Sequence, residues 1–368
     1  MTGKSEVQAE REKGDAAPDG EKHKRKLAMY WAASCGGCEI ALLGINEKIL
    51  TVSDAFDIAF WPCIADGKVH DVEAMPDGSI DLCLFNGAIR NSENEYMARL
   101  LRAKSKILVA FGSCAIDGGI PGLANLSSRK ELLDTVYQDL PATENPDHLR
   151  PQVETTVEEG TLHLPLFYKT LKTLSQCVAV DYYLPGCPPE PEQIWKALTA
   201  VLEGRLPEKG AVLGPVSTVC DECPRTRSEK KINRFYRTWQ IIPDPDICLL
   251  DQGIVCCGIA TGAGCGACCP QMNMPCIGCY GPPEGVDDQG AQLMSALGSI
   301  IDSRDPDEID RIIQEGIPDP AGSFYRFSLA SSLLRRSQLA SKENGKRSPT
   351  ATGFAESAGI REKAHVGS

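Results

Sequence analysis

The chain has 368 residues, a formal net charge of −12 and seventeen cysteines. This length is enough for two domains with a sizeable core. The negative charge argues against a nucleic-acid partner, because a surface that neutralises phosphates needs an excess of Lys and Arg. No apolar stretch reaches membrane length. The first residues lack the apolar core of a secretion signal, so the sequence predicts a cytoplasmic protein without a membrane span.

Residues 1–26 carry mixed charge and few large apolar side chains, which predicts a disordered tail. Residues 27–205 contain apolar runs of strand length, separated by helical patterns such as 93–104. Strands that are almost wholly apolar and alternate with helices predict an α/β domain built on a doubly wound parallel sheet. The polar segment 141–160 is predicted to be a surface excursion. The five runs are 26–33, 56–62, 80–89, 105–112 and 178–186.

Four cysteines follow three of these predicted strands. Cys35 and Cys38 follow the first run, Cys114 the fourth and Cys187 the fifth. Because the carboxyl ends of parallel strands gather along one edge of a sheet, these loops can deliver four thiolates to one point. Glycines flank each cysteine, and they let the backbone approach closely and turn N–H groups toward sulfur.

Residues 206–290 have a different composition, rich in Cys, Gly and Pro and poor in apolar side chains. Metal ligation is the usual substitute for a hydrophobic core in such a segment. Two groups of four can be drawn, although spacing leaves open the choice within the adjacent pairs Cys256/Cys257 and Cys268/Cys269. The groups are Cys220, Cys223, Cys248 and Cys256, and Cys265, Cys269, Cys276 and Cys279.

The other five cysteines are Cys63, Cys83, Cys177, Cys257 and Cys268. Cys83 lies inside an apolar strand and is interpreted as a small core residue, as is Cys177. Cys63 follows a predicted strand at the end where the first group would lie, so its role stays open. Residues 291–335 are predicted to form C-terminal helices, whose apolar face at 292–301 suits either the core or a partner. Residues 336–368 are predicted to be a second disordered tail.

Structural zinc is the alternative to iron–sulfur clusters. The pairs 220/223 and 276/279 have the spacing of zinc ribbons, and such a chain would be a non-catalytic interaction protein. The carboxyl edge of a parallel sheet is a poor place for a structural zinc, however. Iron–sulfur ligation is therefore the favoured interpretation.

Several segments together resemble the small subunit of nickel–iron hydrogenases. The similarity runs from about residue 27 to 285, and it is closest to the cytoplasmic methyl-viologen-reducing type associated with heterodisulfide reductase. The first four cysteines also resemble those of the cluster-bearing subunit of respiratory complex I, which lacks a second cysteine-rich domain. The segments are SCGGCE (34–39), GSCAIDGGIP (112–121), PGCPP (185–189), CDECPR (220–225) and GCGACCPQMNMPCIGCYGP (264–282).

This resemblance implies a flavodoxin-like domain followed by an iron–sulfur domain with three 4Fe–4S clusters. Periplasmic relatives carry His at the position of Cys220 and commonly Pro at that of Cys269, so thiolates at both positions imply four irons in each cluster. The implied ligands are Cys35, Cys38, Cys114 and Cys187 for the proximal cluster, Cys265, Cys269, Cys276 and Cys279 for the medial one, and Cys220, Cys223, Cys248 and Cys256 for the distal one.

The resemblance also places the catalytic nickel–iron site on a large subunit, so this chain is expected to hold no catalytic residue. An electron-accepting iron–sulfur subunit, such as heterodisulfide reductase, is the second implied partner. A deazaflavin-reducing or sulfur-reducing hydrogenase is the alternative, which the acceptor would distinguish. Glu39 beside Cys38 has two interpretations, as a proton-exit or interface residue or as an acid favoured at a helix N-terminus.

Overall fold

The computed structural model describes residues 24–228 and 231–334. The predicted tail 336–368 lies outside these ranges, as does the tail 1–26 except for its last three residues. The first strand begins at Arg25, two residues before the predicted domain boundary. The strands are β1 Arg25–Trp31, β2 Phe56–Phe60, β3 Ile80–Asn86, β4 Ile89–Asn91, β5 Ser105–Phe111, β6 Glu154–Val157, β7 Gly160–His163, β8 Phe167–Lys172 and β9 Tyr182–Leu184.

The helices divide between the two halves of the chain. Those that accompany the strands are α1 Gly37–Leu43, α2 Ile49–Ala55, α3 Val69–Ala74, α4 Ser92–Lys104, α5 Ser113–Asp117, α6 Arg129–Asp134 and α7 Pro191–Glu203. Those that follow are α8 Val219–Glu222, α9 Cys268–Gln271, α10 Gln289–Ile300, α11 Pro306–Gly316 and α12 Pro320–Phe324. No helix in the described ranges is long and apolar enough to cross a bilayer.

One parallel sheet organises the first half of the chain. Its strand order is β2-β1-β3-β5-β9, with every neighbouring pair parallel. Numbered within the sheet alone, this is the order 2-1-3-4-5 of flavodoxin-like doubly wound folds. All five predicted strands are present, so the predicted fold class is confirmed.

Both faces of the sheet are buried, which explains the almost unbroken apolar runs. Leu82 and Leu84 of β3 face α1 and α7, where Leu42 and Leu198 join the same core. Cys83, between them in sequence, faces the opposite side together with Phe85 and residues of α4. This alternation is the two-residue period of a strand.

Two local predictions need adjustment. The helical pattern at 39–50 divides between α1, which ends at Leu43, and the start of α2. Gly44 follows α1, and a side chain there would lie 3.2 Å from Pro191 of α7. The surface excursion at 141–160 contains the start of an exposed hairpin, formed by β6 and β7. Hairpins that lie outside the main sheet bury little apolar surface, so hydrophobic patterning does not reveal them.

The cysteine-rich half has its own apolar core, built mainly with the C-terminal helices. Val219 and Phe235 pack with Leu293 and Leu297 of α10 and with Ile312 of α11. The sequence left open whether the apolar face of α10 meets the core or a partner. The structure places Leu293 and Leu297 in the core.

A buried acid joins the two halves. Asp117 ends α5, and its side chain accepts a hydrogen bond of 2.8 Å from Ser331 Oγ. The same carboxylate occupies the space that a side chain on Gly281 would need. Burial raises the pKa of Asp117 from its ordinary value of 3.8 to about 6, against the lowering effect of Ser331.

This carboxyl should make stability depend on pH. The folded state binds the Asp117 proton more tightly than the unfolded state does. The protonated carboxyl therefore contributes to the free energy of unfolding below pH 4, and this contribution is lost as the pH rises to about 6. The loss is on the order of 3 kcal/mol. In thermal unfolding at pH 5 and pH 7.5, Asp117→Asn should therefore lose less stability across the interval than the unaltered protein. Asp57→Asn, at an exposed position of β2, is the control, and equal pH dependence in all three proteins would contradict the assignment.

Candidate metal centres

The four cysteines that follow strands come together at the carboxyl edge of the sheet. Cys38 lies in the first turn of α1 and Cys114 in α5, both buried, while Cys35 and Cys187 lie in loops. Cys187 precedes a cis peptide bond to Pro188. The Cys38 thiol interacts electrostatically with the other three thiols. Burial raises the pKa of Cys114 to about 12, and the neighbouring thiols add to the rise.

Glycines leave the sulfur atoms free of side-chain neighbours. Gly112 has φ of +84°, and a Cβ there would collide with Cys38 Sγ. Gly119 has φ of +56°, and a Cβ there would lie 2.5 Å from Cys114 Sγ. The backbone can therefore approach the thiols only because no side chain stands between them. A cradle of this kind with four sulfur donors fits an iron–sulfur cluster.

The second group of thiols, at 220, 223, 248 and 256, lines one cavity. Burial raises the pKa of Cys220 to about 12, and the neighbouring thiol of Cys256 is the next largest cause of the rise. The structure therefore associates Cys256 with this group. Its neighbour Cys257 is buried elsewhere, with Sγ 3.9 Å from the carbonyl oxygen of Ser323.

The third group, at 265, 269, 276 and 279, is assembled less completely than the other two. Cys279 interacts with Cys265 and Cys269, whereas the main thiol neighbours of Cys276 are Cys256 and Cys257. Cys268 is exposed, and its sulfur lies 4.0 Å from that of Cys269. Within residues 24–228 and 231–334, no three such side chains are placed as around a single ion.

Backbone hydrogen bonds link the three groups in a row. The N–H of Cys187, in the first group, donates to the sulfur of Cys279, in the third. Ser113 Oγ donates to the carbonyl oxygen of Cys279 at the same junction. The N–H of Cys276, in the third group, donates to Cys256 Sγ, in the second, over 3.3 Å. The third group therefore lies between the other two.

The interpretation of Cys83 and Cys177 as core residues is confirmed. All seventeen cysteines lie within the described ranges, and none of them forms a disulfide there. Cys83 is fully buried in the core, and burial raises its pKa to about 12. Cys177 packs against the same core. The thiol of Cys63 interacts with the carboxyl of Glu39, whose pKa is raised by burial.

Arg225 has a structural role that sequence reasoning missed. Its guanidinium is buried and donates to the carbonyl oxygens of Pro270, Asp244 and Ile247. It thereby fastens together the loops around the second group of thiols. The only sequence signal was its place in the motif CDECPR, which does not show where a buried arginine finds its acceptors.

A flavodoxin-like sheet with thiols at its carboxyl edge, followed by a cysteine-rich region, defines an iron–sulfur electron-transfer subunit. The family described as NADH ubiquinone oxidoreductase, 20 Kd subunit, matches residues 35–201. The iron–sulfur subunit of the F420-non-reducing hydrogenase of Archaeoglobus profundus is 40% identical over 317 residues, which cover 84% of this chain and 98% of that protein. A subunit of the F420-non-reducing hydrogenase of Methanococcus voltae is 38% identical over 315 residues, covering 86% and 99%.

The chain belongs to the family of F420-non-reducing hydrogenase iron–sulfur subunits. It is a small subunit of a nickel–iron hydrogenase and transfers electrons by iron–sulfur chemistry. The resemblance noted in the sequence is therefore confirmed. A nickel–iron large subunit is implied as its partner.

Replacement of one thiol in the first group should remove a cluster. Cys187→Ser should lower the iron and sulfide content per chain, because the first group loses a ligand, and should stop hydrogen-linked electron flow. Cys83→Ser changes a core thiol on β3 and should leave iron content unchanged. Metal and sulfide analysis of the purified complex checks both, and the reverse result would refute the ligand assignment.

The glycine cradle gives an independent test. Gly112→Ala should prevent the first group from binding its cluster. The new Cβ would collide with Cys38 Sγ, and the backbone conformation at this position favours glycine. Gly78→Ala is the matched control, since Gly78 has φ of +67° and an added Cβ would have no neighbour within 4 Å. It should cost about 1–2 kcal/mol and keep all its iron. Equal iron content in both variants would show that the close approach is unimportant.

Proposed function

We propose that the chain carries electrons through three 4Fe–4S clusters, between the nickel–iron site of a large subunit and an electron-accepting subunit. When bound, the clusters supply one-electron transfer. The proposed ligands are the three groups of four described above: the first for the proximal cluster, the third for the medial and the second for the distal. The chain's own residues hold these groups and fix their order.

The row of linked groups is the observation that carries this proposal. Cys187 and Cys279 connect the first group to the third, and Cys276 and Cys256 connect the third to the second. A set of independent structural zinc sites needs no such order. A route for electrons does, because each step depends on a short separation between neighbouring centres. The direct contacts therefore favour conduction over a purely structural role.

Exposed apolar side chains beside the first group support a large-subunit interface there. Ile40 and Leu43 of α1 are exposed although they lie close to Cys38 in the same helix. The indole of Trp31 is also exposed, and it lies against Gly36 in the cysteine loop. Apolar surface of this kind marks a protein interface. Glu39 lies in the same helix as Ile40 and Leu43 but is buried, so we assign Glu39 to packing at this interface.

The opposite end of the row suits an electron-accepting partner. The cavity of the second group is lined by Arg225 and Arg227 as well as by its cysteines. The loop fastened by Arg225 carries Ile242, which is 95% exposed. We propose an iron–sulfur subunit, such as that of a heterodisulfide reductase, as the acceptor that covers this surface. A cytoplasmic location stays a prediction.

Two alternatives are separated by the acceptor and by metal content. A deazaflavin-reducing or sulfur-reducing hydrogenase would share the same clusters and differ in the partner at the second group. A zinc-stabilised interaction protein would hold its ligand sulfurs around one ion at each site. In a four-cysteine iron–sulfur cluster the thiolates bind several irons and are spread farther apart.

The proposal predicts the metal content of the native complex. Anaerobic purification should give about twelve irons and twelve sulfides per chain, from three four-iron clusters, with nickel on a co-purifying large chain. Elemental analysis combined with sulfide determination measures this. Zinc without sulfide would refute electron transfer by this chain, and about eight irons would refute the cluster count alone.

A further inference from the structure

The central strand of the sheet contributes no cysteine to the first group, but it ends on an unusual polar residue. Asn86 is the last residue of β3 and has no exposed surface. Both its side-chain oxygen and its side-chain nitrogen are buried without a hydrogen-bond partner. Buried amides nearly always have partners, so a group with neither position satisfied requires an explanation. Interchanging the oxygen and nitrogen atoms of the amide does not provide one, because both positions are unsatisfied.

The strand register places Asn86 at the middle of the cysteine edge. Asn86 lies opposite Trp31 on one neighbouring strand and opposite Phe111 on the other. Trp31 lies against the loop that holds Cys35 and Cys38, and its indole contacts Gly36. Phe111 precedes Gly112, where an added Cβ would collide with Cys38 Sγ. Asn86 is therefore flanked on both sides by strand ends that lead directly into the first group of thiols.

The side chain of Asn86 is on the face of the sheet where Cys38 lies. Residues two apart on a strand share a face, so Asn86 follows Leu82 and Leu84. These two leucines pack in the same core as Cys38 and Phe111. Cys83 and Phe85 face the opposite core. The unsatisfied amide therefore points to the side on which Cys38 lies, in the first turn of α1.

We propose that the side-chain amide of Asn86 donates a hydrogen bond to a sulfur atom of the proximal cluster. This rests on the proposed function, because it requires the cluster to be held by the first group. The amide donates without adding charge. A donated hydrogen bond stabilises the more negative, reduced form of the cluster, and therefore raises its reduction potential.

The test is a redox titration of the intact complex, followed by electron paramagnetic resonance. Asn86→Leu keeps the side-chain size and removes the donor, so the proximal signal should appear at a more negative potential with iron content unchanged. Cys83→Ala is the matched control, on the same strand, equally buried, and facing the other core. It should leave the potential unchanged. An unshifted potential in Asn86→Leu, or an equal shift in Cys83→Ala, would overturn the proposal.

A second measurement needs no variant, in case Asn86→Leu fails to assemble. The complex is labelled with ¹⁵N at asparagine side-chain amides and examined by pulsed paramagnetic resonance in the reduced state. A ¹⁵N coupling to the proximal cluster supports the proposal, and its absence overturns it. A complex without any iron–sulfur signal would overturn the proposed function as well, so the two failures are distinguishable.

Discussion

The carboxyl edge of one parallel sheet is the constraint on which the other features depend. Parallel strands end along a single line, so three loops that are far apart in sequence bring Cys35, Cys38, Cys114 and Cys187 together. Assembling these thiols in a buried place has an electrostatic cost, since burial and mutual proximity raise the pKa of Cys38 and Cys114. Binding metal requires thiolates and offsets that cost, so folding and cluster binding are coupled at this edge.

The same edge also fixes where the cysteine-rich region lies. Cys187 is both a member of the first group and the donor to Cys279, and Ser113 of α5 donates to the backbone of that residue. The buried Asp117 at the other end of α5 meets Gly281 and Ser331. One short helix thus contacts the first group, the third group and the C-terminal segment. An error in its placement would disturb the spacing of the whole row.

Much of the fold was predictable because both faces of the sheet are buried. Apolar runs in β1, β2, β3, β5 and β9 are long enough to predict strands. Helices α4 and α7 begin with residues that are common at helix N-termini. Asn91 caps the first of these, and Pro191 begins the second. The hairpin of β6 and β7 was not predictable, because its exposed strands carry no hydrophobic pattern. Arg225 was missed because its acceptors are backbone carbonyls distant in sequence.

By itself, the sequence determined the parallel sheet, the convergence of its four cysteines and the family, since each depends on local patterning or on short motifs. Tertiary structure decided the roles of residues that local sequence patterns cannot distinguish. Adjacent cysteines such as Cys256 and Cys257 are equivalent in spacing, and only the packing directs one into the cavity of the second group and the other toward Ser323. Likewise, an asparagine at a strand end is an ordinary residue in the sequence. Burial of Asn86 between Trp31 and Phe111 is what leaves its amide without a partner and gives it significance.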